Sequence, residues 1–306
     1  MTEPNWDWYR SFLGVLDEGS LSAAARTLGL TQPTVGRHIE SLEQALGLAL
    51  FTRAHDGYTP TDAAQHLRPY AASLASSAAA LRRMASSHGR EGEVRGTVRI
   101  TASEMVGAEV LPPIIADMRA LHPALSVELV LSNRAGNLLQ READIAVRMF
   151  RPTQEALVAR NLGTIELGFF ARSDYLERHG MPVSARDLHK HTLIGYESEN
   201  DYIRKMRKQY PVLEGLHFSF KSDSDPALIS AIRAGVGIGI CQAPLAARSG
   251  LVRVLPRALS IPMETWLVMH EDLRDNPRCA AAFAALGEGL AAYVAPPTFH
   301  QAGKRA

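Results

Sequence analysis

Between Thr31 and His38 the chain carries side chains that can bond the edges of nucleic-acid bases. The Gln32 amide suits adenine, Arg37 suits the paired acceptors of guanine, and the Pro33 ring can touch a thymine methyl. Gln32, Pro33, Gly36, Arg37 and Glu40 stand at offsets of 0, 1, 4, 5 and 8, which is one face of a helix. Thr31 is placed to cap that helix, and its start can hold a phosphate. Bulk charge does not help. The first 60 residues hold four Arg against seven acids, so contact with DNA would rest on where the arginines stand. Net charge over 306 residues is +1, which neither supports nor excludes nucleic acid.

A second set of candidates stands at the ends of apolar runs further along. Thr101 and Ser103, Ser132 and Asn133, and Met149 and Phe150 each follow a stretch that reads as a strand. Tyr196, Asp223 and Ser224 follow two later ones. In open parallel sheets, ligands bind at the carboxyl ends of strands. Ser103 precedes a helix, so its hydroxyl and the unpaired amides of the helix start predict a site for a small anionic or polar molecule. Arg148 and Arg151 read equally as solvated charges or as ligand clamps.

Other chemistries are weaker. His189 and His191 form a close pair, but no Cys or carboxylate cluster completes a zinc set, so they read as a surface loop. Cys241 and Cys279 are the only cysteines, too few for a disulfide framework, and Cys241 reads as a packed thiol. There is no Gly-Lys-Ser/Thr nucleotide loop and no Gly-x-Ser-x-Gly elbow. No cofactor is expected. No apolar run reaches the length of a membrane span, the first residues lack a secretory pattern, and a cytoplasmic protein is expected.

Two organised regions must position these groups. Trp8, Phe12 and Leu16 recur on one helical face that ends at Gly19. Ser20 can cap a helix over 21–28, Gly29 breaks it, and Val35, Ile39, Leu42 and Leu46 give the next helix its inward side. Residues 51–59 predict a hairpin turning at Asp56-Gly57. Over 61–87, Leu67, Ala71, Leu74, Ala78, Leu81 and Ala85 form a heptad-like seam, and Pro69 predicts a kink or a late start. Residues 89–96 read as a linker. Strands over 97–101, 126–131 and 144–149, with helices over 110–121 and 138–142, predict parallel βαβαβ. Further strands are expected over 165–171, 192–196, 218–221, 236–241 and 266–270, with helices over 226–234 and 277–293.

Residues 12–53, FLGVLDEGSLSAAARTLGLTQPTVGRHIESLEQALGLALFTR, closely resemble the N-terminal domain of LysR-type transcriptional regulators, and the likeness continues with Thr59-Pro60-Thr61. VRGTVRI at 94–100, READIAVR at 141–148, AGVGIGI at 234–240 and NPR at 276–278 resemble that family's later landmarks. The resemblance implies an α+β multidomain chain. Its parts are a winged helix-turn-helix over 1–60 (motif about 21–40), a linker and dimerisation helix over 61–92, and a two-lobed, Rossmann-like effector domain of the periplasmic-binding-protein type II over 93–300. Lobe I takes about 93–163 and 268–300, lobe II about 164–267. By position the DNA-contacting set is Thr31, Gln32, Pro33, Thr34, Arg37, His38 and Arg53, with Arg53 a phosphate clamp beside the wing. Gly36 departs from the Ser that many members carry, which removes one hydroxyl contact.

The expected partners are double-stranded operator DNA, a small-molecule effector bound between the lobes, and further copies of the chain as a dimer and a dimer of dimers. RNA polymerase is admitted as a partner, and no membrane is. The alternative is an enzyme or ligand-binding protein on the same two-lobed fold. An enzyme would not need the first 60 residues, and no nucleophile and base stand together.

Overall fold

The computed structural model describes residues 3–54, 57–86, 94–133, 143–152, 157–199 and 201–296. The chain divides into two compact units, one formed up to Arg82 and one from Arg83 on.

The first unit is built from short helices with explicit stops. α1 (Trp6–Glu18), α2 (Leu21–Leu28) and α3 (Gln32–Leu46) end at Gly19, Gly29 and Gly47, each left-handed with φ near 70°. The Ser20 hydroxyl accepts from the Ala23 amide at 3.2 Å, and the Thr31 hydroxyl from the Thr34 amide at 3.4 Å. Pro33 stands in the first turn of α3, where its missing N–H costs no hydrogen bond. Phe12, Val15, Val35, Ile39, Leu42 and Leu50 are buried together, and each contributes about 1.5–3 kcal/mol from burial. β1 (Phe51–Ala54) and β2 (Gly57–Pro60) pair antiparallel. Gly57 pairs with Ala54 inside the ladder and is not a turn residue, which corrects the expected Asp56-Gly57 turn. Asp56 lies outside the described residues. Gly57 has φ +142°, and a Cβ there would stand 2.8 Å from the Gly19 carbonyl oxygen, so the strand can approach the α1–α2 turn only as glycine.

α4 (Asp62–Ser86) begins at once, with the Thr61 hydroxyl accepting from the Ala64 amide at 3.2 Å. It runs through Pro69, so the expected late start does not occur. The seam divides. Leu67 and Ala71 pack on the core of the first unit, whereas Leu74 and Leu81 are 47% and 70% exposed. Leu67 therefore belongs to the fold of its own chain.

The second unit is one mixed sheet with helices on it. β3 (Gly96–Ala102), α5 (Glu104–Glu109), α6 (Leu111–Leu121), β4 (Leu125–Leu131) and β5 (Ile145–Arg148) come first, and β3 is parallel to both β4 and β5. The expected single helix over 110–121 is two helices, because Pro112 and Pro113 suit a first turn and mark a new start at Leu111. The helix expected over 138–142 lies outside the described residues. There follow β6 (Leu157–Ala171), α7 (Ser173–His179), β7 (Leu193–Gly195), α8 (Asp201–Gln209), β8 (Phe220–Lys221) and α9 (Asp225–Ala234). β9 (Ile238–Gln242), α10 (Ala243–Arg248), β10 (Val252–Val254), β11 (Ile261–His270) and α11 (Pro277–Val294) complete it.

Among the described residues the strand order is β4-β3-β5-β11-β6-β9-β7-β8, with β10 also on β6. β6 and β11 are longer than their apolar periodicity predicts, and they pair antiparallel along their length. Pro262 lies in the part of β11 that pairs with β6 alone, where the other edge needs no donor. Register shifts between Thr265 and Trp266, close to Gly163 on the partner strand. One core gathers Val98, Ile100, Leu125, Ile145, Leu267 and Leu286 at one end of this long pair. The cores around Phe170, Ile229 and Ile232, and around Phe169, Leu193 and Ile238, lie at the other.

Candidate functional site

In the first unit, α3 presents Gln32, Pro33 and Arg37 to solvent from a helix whose opposite side is buried. Thr31 and Thr34 bond to each other through their hydroxyls at 2.8 Å, which fixes the helix start. The Ser22 hydroxyl donates to Gln32 Oε1 at 3.1 Å, so the side chain is held near the α2–α3 turn. His38 is half-buried, and its Nδ1 lies 2.8 Å from the hydroxyl of the buried Ser11 on α1. Arg53 lies on β1 in register with Tyr58.

In the second unit a cleft of about 1700 Å³ opens along the strand ends. It brings together Ser103, Ser132, Asn133, Met149, Phe150, Tyr196 and Asp223. Thr101 and Ser224 are not among its lining residues. Thr101 is buried, and its hydroxyl accepts from Arg148 Nη2 at 3.5 Å. Ser224 caps α9 by its backbone, and its amide donates to the Ser222 hydroxyl at 3.2 Å.

The start of α5 is not as open as the sequence predicts. The Glu104 amide donates to Asn133 Oδ1 at 3.0 Å, so one expected anion-binding N–H is already used. Asn133 Nδ2 donates in turn to Asp225 Oδ2 at 3.1 Å, and the Tyr196 hydroxyl donates to Asp225 Oδ1. Ser103 makes no side-chain capping bond. Asp223 accepts from the Ser198 hydroxyl and from the amides of Ser198 and Glu197, which holds its carboxyl below the usual carboxylate range.

A second tie joins the same two helices. Arg233 of α9 grips Glu109 of α5 through both nitrogens, at 3.0 and 2.7 Å, and donates to the Ser249 hydroxyl at 3.0 Å. α9 is thus bound near both of its ends, through Asp225 and Arg233, to the neighbourhood of the two ends of α5.

Two groups on the cleft were misread or missed in the sequence. Asp225 reads there as the end of the 222–225 turn, which either reaches a ligand or only caps a helix. Arg148 reads as an even choice between solvated charge and clamp, yet it is 6% exposed and lines the cleft wall, with Nη1 donating to the Val147 carbonyl at 3.2 Å. Its signal was position: it is the last residue of a strand buried at all four positions. Cys241 and Cys279 are both buried, and burial pushes each thiol up to about 12, so neither is a ready nucleophile at neutral pH. His191 is held below the usual imidazole range by burial first and His179 second, and its Nδ1 lies 3.4 Å from the Tyr175 hydroxyl.

Residues 6–65 match the bacterial regulatory helix-turn-helix protein, lysR family, and residues 91–291 match the LysR substrate binding domain. The chain is 26% identical over 296 residues to the probable HTH-type transcriptional regulator LtrA of Klebsiella pneumoniae, covering 94% of this chain and 95% of that one. It is 28% identical over 256 residues to an HTH-type transcriptional regulator of Xanthomonas campestris, covering 79% and 72%. Its fold is similar to full-length AphB of Vibrio cholerae, at 22% identity and a TM-score of 0.57 over 92% of this chain and 98% of that one. It is also similar to full-length CbnR complexed with its target DNA, at 18% identity and a TM-score of 0.63 over 94% and 99%.

Proposed function

The chain belongs to the LysR family of bacterial transcriptional regulators, and we propose that it reads operator DNA through Gln32, Pro33 and Arg37 and answers to an effector held in the strand-end cleft. It is a DNA-binding regulator with an effector-binding domain, and the family is one of regulators, not enzymes. The observation that carries the residue assignment is the exposed edge of α3, with Gln32 and Arg37 five positions apart on a helix capped at its first turn. Thr31 and Thr34 set the helix start, and Arg53 stands on the wing strand as the phosphate contact. Arg37→Ala is expected to weaken specific operator binding by about 1–3 kcal/mol, the usual worth of a bidentate base contact. Gel shifts on operator and on random DNA check this. Equal losses on both would reduce Arg37 to a phosphate contact.

In the same reading the winged motif occupies 1–60, the linker helix 61–92 and the sensor 93–300. Lobe I comprises 93–163 and 268–300, and lobe II 164–267. The register shift beside Gly163 and Thr265 supports a lobe boundary at that point of the long strand pair. Effector binding between Ser103, Ser132, Asn133, Met149 and Phe150 on one side and Tyr196 and Asp223 on the other would bias the lobe angle. A ligand shifts such an equilibrium only by binding one arrangement more tightly. Ser103→Ala is expected to weaken effector affinity by about 0.5–1.5 kcal/mol, the worth of one neutral hydrogen bond. Basal operator binding should hold. Calorimetric titration of mutant and parent decides it, and unchanged affinity would move the contact off Ser103.

The active species is taken to be a dimer, paired again into a tetramer, working on chromosomal DNA in the cytoplasm with RNA polymerase as its downstream partner. No described helix is long and apolar enough to cross a membrane.

A further inference from the structure

We infer that the effector is an amphipathic molecule whose apolar body, aromatic or of medium chain length, fills a chamber of the cleft walled by Leu167, Met206, Leu216, Phe218, Ile240 and Met263. The inference rests on the reading of the cleft as the effector site and names the chemistry of its occupant.

Size is the first argument. Pockets for drug-sized ligands run to about 300–1,000 Å³. At about 1700 Å³ this cleft would leave most of its space to water if it held only a small carboxylate. The make-up of the lining is the second. The hydrogen-bonding groups described above stand at the strand ends and the start of α9. The six apolar residues come from β6, α8, β9, β11 and the segment before β8, where Arg207, His217 and Glu264 also line the cleft. Each is half-buried and packed against the hydrophobic core behind it, so the chamber has walls held in place. Water in such a space finds few partners, whereas an apolar ligand body does. Phe218 is held by a particular device. A Cβ at Gly195 would fall 2.5 Å from the Phe218 ring, so only glycine on β7 lets that ring lie where it does. On the ring's other account, the Arg207 guanidinium stands 6.0 Å from its centroid.

Charge, third, favours the polar over the anionic of the two effector types expected from the sequence. The lining carries six carboxylates against four Arg and Lys side chains. Asp225, buried and acidic, accepts from both Asn133 and Tyr196. A ligand anion at that point would meet a fixed carboxylate. An uncharged polar end, able to donate to Asp225 or to bond Ser103, fits.

The test uses N-phenyl-1-naphthylamine, an uncharged aromatic probe that brightens in apolar surroundings, titrated into the full-length protein. Saturable binding of one probe per chain is expected. Met206→Trp and Leu216→Trp fill the chamber from two separate segments at half-buried positions, and each is expected to weaken binding about tenfold. Leu74→Glu with Leu81→Glu removes the exposed apolar row of α4 and should leave binding within about twofold. Absence of saturable binding, or parental binding in both Trp variants, would overturn the chamber. Failure of the wider reading looks different: operator gel shifts on the same samples would then be indifferent to every ligand that the cleft binds.

Discussion

Replacing Asp144 with Ala is expected to lower the unfolding free energy by about 3–5 kcal/mol, the cost of breaking a buried ion pair from one side. Asp144 is 3% exposed and accepts from Arg83 Nε at 3.2 Å, from Arg278 Nη1 at 3.3 Å and from the Arg99 amide at 2.8 Å. Arg83 and Arg278 are themselves 6% and 1% exposed. A guanidinium cannot shed its proton to escape burial. Removing Asp144 therefore takes away the carboxylate that both buried guanidinium groups share. Arg278 keeps only part of its bonding, since Nη1 also donates to the Thr97 carbonyl at 2.8 Å while Nε has no partner among the described residues. Asp144→Asn retains the shape and an acceptor but not the charge, and should fall between parent and Ala. Urea unfolding of the full chain, followed by circular dichroism and by Trp fluorescence, measures both. A loss under about 1 kcal/mol, the range of exposed pairs, would mean that water reaches the cluster.

The paired change Leu74→Glu and Leu81→Glu is expected to halve the mass seen by light scattering. Both side chains stand exposed on α4, along with Tyr70 at 72%, although Leu67 and Ala71 on the same helix are packed against their own unit. If a second copy covers the row, four leucines leave water per pair, worth about 6–12 kcal/mol at 1.5–3 each. Glutamate removes that and sets like charges face to face. The halved species brings half as many recognition helices to an operator, so affinity should also drop by about 10²–10⁴ through lost avidity. Unchanged mass would take α4 out of the interface.

What was legible in the sequence was mostly local. Ser20, Thr31 and the three helix-ending glycines act on residues within a turn of themselves, and their types suffice to place α1 to α3. The strand-end rule likewise gathered Ser103, Asn133, Tyr196 and Asp223 on one cleft, because the parallel groups β3-β4-β5 and β7-β8-β9 run in opposite directions from the two ends of the long β6–β11 pair and turn their carboxyl ends toward each other. Thr101, buried two residues upstream of Ser103, and Ser224, the N-cap of α9, are not on that lining. Long-range partners were out of reach: Asn133 and Asp225 are 92 residues apart, and His38 meets Ser11 across 27. The first half of β6 was missed because Arg160, Asn161 and Gly163 interrupt its apolar alternation, and β11 because Pro262 disguises its start. α7, α8 and α10 are short, and α8 carries four basic residues among its nine, so it offers little apolar stripe to read.

The double attachment of α9 to α5 has a mechanical meaning. A body pinned to another at one point keeps three rotations. Pinned at two, it keeps one, about the line through both pins. Taken as a pair, these helices can swing like a door about the line from Asn133–Asp225 to Glu109–Arg233, but they cannot slide past each other while both bonds hold. The two pins also differ in kind. One is a single amide-to-carboxylate bond at the rim of the cleft, where a ligand can compete for it. The other is a two-pronged ion pair that no cleft ligand touches. Cutting the first would leave the pair held at Glu109–Arg233 and by the core that Met105 shares with Leu228 and Ile229, so an occupant of the cleft can change which movements are open and not only how far they go.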